Sequence, residues 1–496
     1  MVFARFVPLF ALVLGLAASP AWAQPFDFAA VEAEAQKVAS QPYRDVAPVG
    51  GDMKKLGYDA YRALRPKPDT ALWHENGLFR VELFPAGFIY DRPVSIGIVD
   101  NGNVTPVLIG SGQFDFSDTG LKEPPKELAT AGFKVTFPLD RPDKFDEVIA
   151  FLGASYFRPI GRGQTYGSSA RGLAIDTATD HPEEFPTFRA FWLVKPAPEA
   201  TELTVWALLD SPGATGAFAF TIRPGARTVV TTRAVLFLRH DVSLLGIAPL
   251  TSMYFAGKIS PARDDYRPEV HDADGLAVLT GKGERLWRPL ANPGGLSVSS
   301  FVDTNPRGFG LMQRERAFAQ YQDSGARLET RPSLWVEPQG DWGDGEVRLI
   351  EIPSQAETND NIVAFWMSKW PAKQGTRLEY NYKLSALTDD AALVPLGRVV
   401  STRTAAVPGN NKARRVVVEF DGGELASLRP EQPVAAQVTL SSGKLLRSHV
   451  EALPWQKSWR LFMDFEPDGK KPVDLRANLA LRGVVLTETF SGLHRP

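Results

Sequence analysis

The chain of 496 residues contains no cysteine. That excludes disulfide stapling and a lipid-modified cysteine anchor, and leaves stability to packing alone. Histidine is also scarce: six residues stand far apart at 74, 181, 240, 271, 449 and 494. Neither a zinc site nor a Ser-His nucleophile is suggested by that scatter. A phosphate loop is missing, because TGKGE at 280–284 lacks the upstream glycine and the Ser/Thr. GxSxG and HExxH are absent as well. The formal net charge of −2 supplies no basic footprint for nucleic acid and no polybasic membrane signal. Beyond the first two dozen residues no apolar run could span a bilayer, so a membrane-spanning role is not expected.

The opening MVFARFVPLFALVLGLAASPAWAQ has one early cation, a short apolar stretch and a small-x-small ending at Ala21-Trp22-Ala23. It reads as a signal peptide over 1–23, cleaved near Ala23, with export by the Sec route because no twin-arginine pair precedes the apolar stretch. The expected location is the periplasm. The remainder exceeds the usual size of one domain and, at 44% apolar residues overall, can bury a large core.

What is present is a period of two. Segments 79–84, 94–100, 202–209, 218–224 and 347–352 alternate or run apolar with β-branched and aromatic residues. The 42 glycines and 39 prolines punctuate them at short intervals, as turns require. Helices are expected only at 28–40 and 52–64. The fold class read from this is mostly β, with a sandwich favoured. A polar, turn-rich stretch at 386–412 reads as a linker between a domain at 24–385 and a second at 413–496. The second has roughly seven short strands in about 100 residues, the pattern of an immunoglobulin-like sandwich.

Carboxylates and aromatics remain as the carriers of chemistry, and both suit carbohydrate. Cleavage of a glycosidic bond needs an acid to protonate the leaving oxygen and a second carboxylate for water or the anomeric carbon. Asp272 and Asp274 lie in RPEVHDADGL, which also reads as an Asx turn or as part of a calcium loop whose other ligands do not follow. Glu357 and Asp360 lie in ETNDNIVAFW, where they also read as caps of a buried strand. Between the two spots stand Tyr321, Trp335, Trp342, Arg314 and Arg316, and Trp366 follows; these are the candidate substrate-binding residues. Trp342, flanked by Asp341, Gly343, Asp344 and Gly345, is the leading candidate for a sugar platform.

Long stretches of the chain closely resemble the periplasmic glucan biosynthesis proteins G and D (OpgG/OpgD, MdoG/MdoD). These are RPEVHDADGLAVLTGKGERLWRPLANP, RPSLWVEPQGDWGDGEVRLIEIPSQAETNDNIVAFW and YFRPIGRGQTYGSSARGLAIDT at 156–177. The absence of a twin-arginine signal favours the G branch. The resemblance implies a large N-terminal, galactose-mutarotase-like β-sandwich of the carbohydrate-active kind, joined to a small immunoglobulin-like one. It implies work on a β-1,2-linked glucan, as an inverting endo-β-1,2-glucanase or related transglycosylase without metal or organic cofactor. It puts the general acid on Asp360, the base-side carboxylate on Asp272, and Glu357 in the same cleft. Two positions depart from the family pattern, Leu328 for Tyr and Ala317 for a polar residue.

On this reading the folded pKa of Asp360 is raised by burial or by the charge of Glu357. The alternative is a binding protein that presents nascent glucan to an inner-membrane synthase or to modifying enzymes, with the same residues serving as hydrogen-bonding and stacking partners.

Overall fold

The computed structural model describes residues 25–495 except 76, 262–263, 389–390 and 470. The expected signal peptide therefore lies outside the described residues. The chain is mostly β, and among the described residues its two largest sheets hold ten and fifteen strands. The ten-stranded sheet runs in the order Arg80–Pro85, Thr130–Arg141, Lys144–Leu152, Tyr156–Pro159, Ser169–Arg171, Leu245–Ser252, Ile362–Ser368, Asp344–Glu351, Ser297–Thr304, with Ala174–Ile175 attached at its centre. Against it packs the middle of the larger sheet, built on Thr187–Val194, Leu203–Asp210, Ala214–Arg223, Thr228–Leu238 and Arg377–Leu387.

Alternation decides which side chains meet between the layers. Phe218, Phe220 and Ile222 on one strand and Val205, Ala207 and Leu209 on its neighbour are fully buried in the shared core. Phe133, Phe151 and Phe157 join them from the opposite sheet, with Phe151 and Phe157 stacked at 5.7 Å. Each such ring contributes on the order of 2–3 kcal/mol by burial, which is how a chain without disulfides holds so large a sandwich.

Helix Phe28–Ala39 begins where the Asp27 carboxylate accepts the Ala30 N–H at 3.1 Å. Val31 and Ala35, one turn apart, bury against the outer face of the larger sheet. The second expected helix is two short ones, Gly51–Lys55 and Tyr58–Ala63. Leu56 is extended, and Gly57, a poor helix former, starts the second piece.

The larger sheet does not stop at the first sandwich. Its strand Arg285–Pro289 pairs in parallel with Thr489–His494, through Leu286 with Thr489 and Trp287 with Phe490. Val473–Leu481 and Val434–Leu440 continue beyond it, facing a four-stranded sheet ordered Arg398–Val407, Asn410–Asp421, Ser458–Glu466, Lys444–Leu453. A second core forms where the two sandwiches meet: Ala277, Trp287, Met312, Trp335 and Leu387 pack with Val418, Trp459 and Phe490. The stretch expected as a linker thus carries a strand, Arg398–Val407, and differs from the reading in that respect. It lies at a sheet edge with Arg403 to Ala406 exposed in succession, so it lacks the alternation of a strand and resembles a loop in sequence.

Candidate active-site cleft

ETNDNIVAFW divides at Asn361. Ile362–Ser368 is a central strand whose first five residues are buried. Asn361 is itself buried, and its side chain ties the turn down. Its Oδ1 accepts the Tyr254 N–H at 2.8 Å, and its Nδ2 donates to the carbonyls of Tyr254 at 3.0 Å and Ile352 at 2.9 Å. Further out, the Asn292 side chain donates to Ser354 O at 2.8 Å and accepts from Ser354 N at 2.9 Å. Asp360 is therefore fixed in space by a folded loop.

Asp272 reaches the same place from a different direction. Strand Val270–His271 pairs with Tyr254–Ala256, and the Asp272 N–H donates to Met253 O at 2.9 Å. Residues 253–254 thus anchor both aspartates. Beneath them His271 is fully buried, stacked on Tyr254 at 5.1 Å, with its ring nitrogens 2.9 Å from Glu269 Oε2 and 3.0 Å from Gln313 Oε1.

The two carboxyls are shifted the same way, and what differs is exposure and the direct bond from Arg331 to Asp272. Asp360 remains open to solvent, yet protein crowds its carboxyl enough that burial raises its pKa against the opposing charges of Arg158, Arg171 and Arg331. Asp272 is only 4% exposed. Burial raises its pKa too; the charge and hydrogen bond of Arg331 oppose this, while Asp360 adds to it. Arg331 hydrogen-bonds Asp272 directly. Its aliphatic stem passes over Gly167, where a Cβ would lie 2.7 Å from Arg331 Cβ, so only glycine leaves room. Arg316 fixes the Arg331 loop by donating to the carbonyls of Glu329 at 3.0 Å and of Arg331.

Three site residues were not singled out from sequence. Arg171, 3% exposed, pairs with Glu183 at 2.9 Å. Arg158 lies 5.4 Å from the Tyr156 ring, and Tyr156 senses the charge of Asp360. The available signal was a pair of arginines inside apolar strand segments, at 158 and 171.

Several expected site residues lie elsewhere. The Glu357 carboxylate is on the rim and pairs with Arg267 at 2.8 Å, which also holds Asp265 and Asp323. Burial, not Glu357, lifts Asp360. Trp342 is 5% exposed, packed edge-on to Tyr380 at 5.3 Å and near Trp366 at 6.2 Å, so its ring faces belong to the core. It also sits at the wrong end: Glu351 pairs with Ile362 beside Asp360, whereas Gly345 pairs with Ser368 beside Trp342. Trp366 is fully buried and Trp335 belongs to the junction core. Tyr321 is under the cleft floor against His271, its hydroxyl donating to Glu315 O at 3.1 Å. Arg314 lies 3.6 Å from the Trp287 ring and pairs with Glu488 at 2.5 Å across the sandwich junction. Asp274 braces a turn, accepting the N–H groups of Arg314 at 3.0 Å and Glu315 at 2.9 Å. Leu328 is buried with Met253 and Tyr321, and Ala317 begins the helix Phe318–Tyr321. Among the described residues no group of three or more His, Asp or Glu is placed to hold a metal ion, and no helix is long and apolar enough to cross a membrane.

Fold and site together define a two-sandwich β protein in which the carboxyls of Asp272 and Asp360 feel each other and share the charge of Arg331. A family model described as "Periplasmic glucan biosynthesis protein, MdoG" matches residues 26–493. The chain is 44% identical over 502 residues to Glucans biosynthesis protein G of Ralstonia nicotianae, covering 98% of this chain and 99% of that one. It is 45% identical over 459 residues to the protein of that name from Rhodopseudomonas palustris, covering 92% and 90%. With the one from Pectobacterium carotovorum it shares 42% over 498 residues, covering 97% and 95%. The chain belongs to the MdoG family of periplasmic glucan biosynthesis proteins, as its motifs suggested, and its role is in glucan biosynthesis.

Proposed function

We propose that the cleft binds a β-1,2-linked glucan and cleaves or transfers it as an inverting endo-β-1,2-glucanase or related transglycosylase in the periplasm. Asp360, its pKa raised by burial, holds a proton and delivers it to the departing glycosidic oxygen. Asp272, hydrogen-bonded by Arg331, draws a proton through a short water chain from the attacking water, or from a glucan hydroxyl in transfer. A carboxylate whose pKa is lifted is also the stronger base. The observation that carries this reading is the convergence of Asp272 and Asp360 on residues 253–254, with the charge of Arg331 acting on both.

The direct bond from Arg331 to Asp272 favours a second reading. Here the carboxylate is a structural and binding group, and the protein presents nascent glucan from an inner-membrane synthase to modifying enzymes.

Incubation with linear β-1,2-glucan separates the two. Chain shortening or cyclisation by the wild type, lost in both Asp360→Asn and Asp272→Asn, supports the enzyme. Unchanged glucan that is nevertheless retained by all three proteins supports the carrier.

A further inference from the structure

Trp370 is 69% exposed and follows the strand that carries Asp360 at its other end. That strand, Ile362–Ser368, is about 20 Å long at roughly 3.3 Å per residue, so Trp370 is remote from the cleft. It edges a cavity of about 760 Å³ whose wall also includes Trp342, Tyr380 and Met367. A second groove of about 810 Å³ is also lined by Met367 and Lys369, so it adjoins the trough that Trp370 edges.

The charges of the first cavity balance. Asp241 and Asp341 face Lys369 and Lys373; Lys373 pairs with Asp241 at 2.7 Å. Lys369 pairs with Asp344 at 3.7 Å while lying 6.0 Å from the Trp370 ring. Exposed pairs of this kind contribute little to stability, but they present fixed donors and acceptors around a flat apolar ring. An anion gains nothing from a neutral cavity. A hexose matches it, because the sugar's axial C–H face lies on an indole while its equatorial hydroxyls reach donors and acceptors at the rim.

We propose that this trough is a second glucan-binding site, separate from the acid cleft and centred on Trp370, which holds a distant part of the same chain. The proposal rests on the reading of the protein as one that handles β-1,2-glucan. Holding a long chain at two points makes the second contact intramolecular and raises avidity for long glucan over short.

The test is calorimetric titration of the Asp360→Asn protein, which leaves the ligand intact, with a short linear β-1,2-glucan. Asp360→Asn/Trp370→Ala and Asp360→Asn/Trp455→Ala follow; Trp455, 76% exposed on the small sandwich, controls for loss of a surface indole. The expected result is two binding events in the parent and the Trp455 variant, one in the Trp370 variant, and both retained in Asp360→Asn/Trp370→Phe. Affinity for long glucan falls about tenfold with Trp370→Ala. An unchanged isotherm in the Trp370 variant overturns the second site and leaves the cleft reading standing. No binding in any of the proteins overturns both. Trp370-dependent sedimentation with anionic phospholipid vesicles, or Trp370-dependent dimerisation, with an unaltered glucan isotherm reassigns the patch and overturns the proposal.

Discussion

The side-chain amide of Asn361 grips both backbone groups of Tyr254, accepting its N–H at 2.8 Å and donating to its carbonyl at 3.0 Å. Because Asp272 donates to the neighbouring Met253 carbonyl, this clasp fixes the spacing of the two aspartates. Asn361→Ala strips partners from buried backbone groups and should cost about 2–3 kcal/mol in urea unfolding. Glucan turnover should fall at least tenfold with binding retained, since the acid loses its place while the rest of the cleft keeps its shape.

Asp360→Asn should make the protein more stable near neutral pH. The folded pKa of Asp360 is raised above the ordinary 3.8. Its contribution to stability is therefore fully present below the unfolded pKa and is lost as pH rises through the folded one. The amide removes that loss. Melting at pH 7 should rise by roughly 1–3 °C, and the gain should vanish below about pH 4. A gain that persists in acid would show another cause.

Arg331→Met should move the pH profile of kcat/KM upward. Arg331 lowers the pKa of both Asp272 and Asp360. Its removal lets Asp272 protonate at higher pH, shifting the acid limb up, and keeps Asp360 protonated longer, shifting the basic limb the same way. A profile that drops in height without shifting would assign Arg331 to substrate contact alone.

Arg314 and Trp335 should act through stability. Arg314→Ala leaves Glu488 buried without its ion-pair partner, at a cost of about 3–5 kcal/mol. Trp335→Ala opens the junction core at a similar cost of about 3–5 kcal/mol. Below the melting temperature KM for glucan should stay within about twofold of wild type.

These residues show what the sequence makes legible. Alternating strands were readable because their period is local, whereas Asp272 and Asp360 showed locally only as acids in turns and were brought together by the family resemblance. Trp342 was misplaced because its polar neighbours form a turn, with Gly340 and Gly343 at φ of 82° and 71°, that folds the indole back into the sandwich. Burial there depends on Tyr380 and Trp366, which local composition does not reveal. Arg158 and Arg171 escaped notice because they meet Asp360 only after nearly two hundred residues of intervening chain have closed the sheet. The strand Arg398–Val407 read as a linker because Arg403 to Ala406, exposed in succession at a sheet edge, lack the alternation of a strand.

An acid at Asp360 and a base at Asp272, working from opposite sides of a β-1,2-glucosidic bond as proposed, would invert the anomeric carbon. The most direct measurement is time-resolved proton NMR of linear β-1,2-glucan with wild-type protein, with Asp360→Asn and Asp272→Asn alongside. The first new reducing ends should be α-anomers, before mutarotation, and neither variant should produce them. First-formed β-anomers, or α-anomers that persist undiminished in either variant, would contradict this assignment.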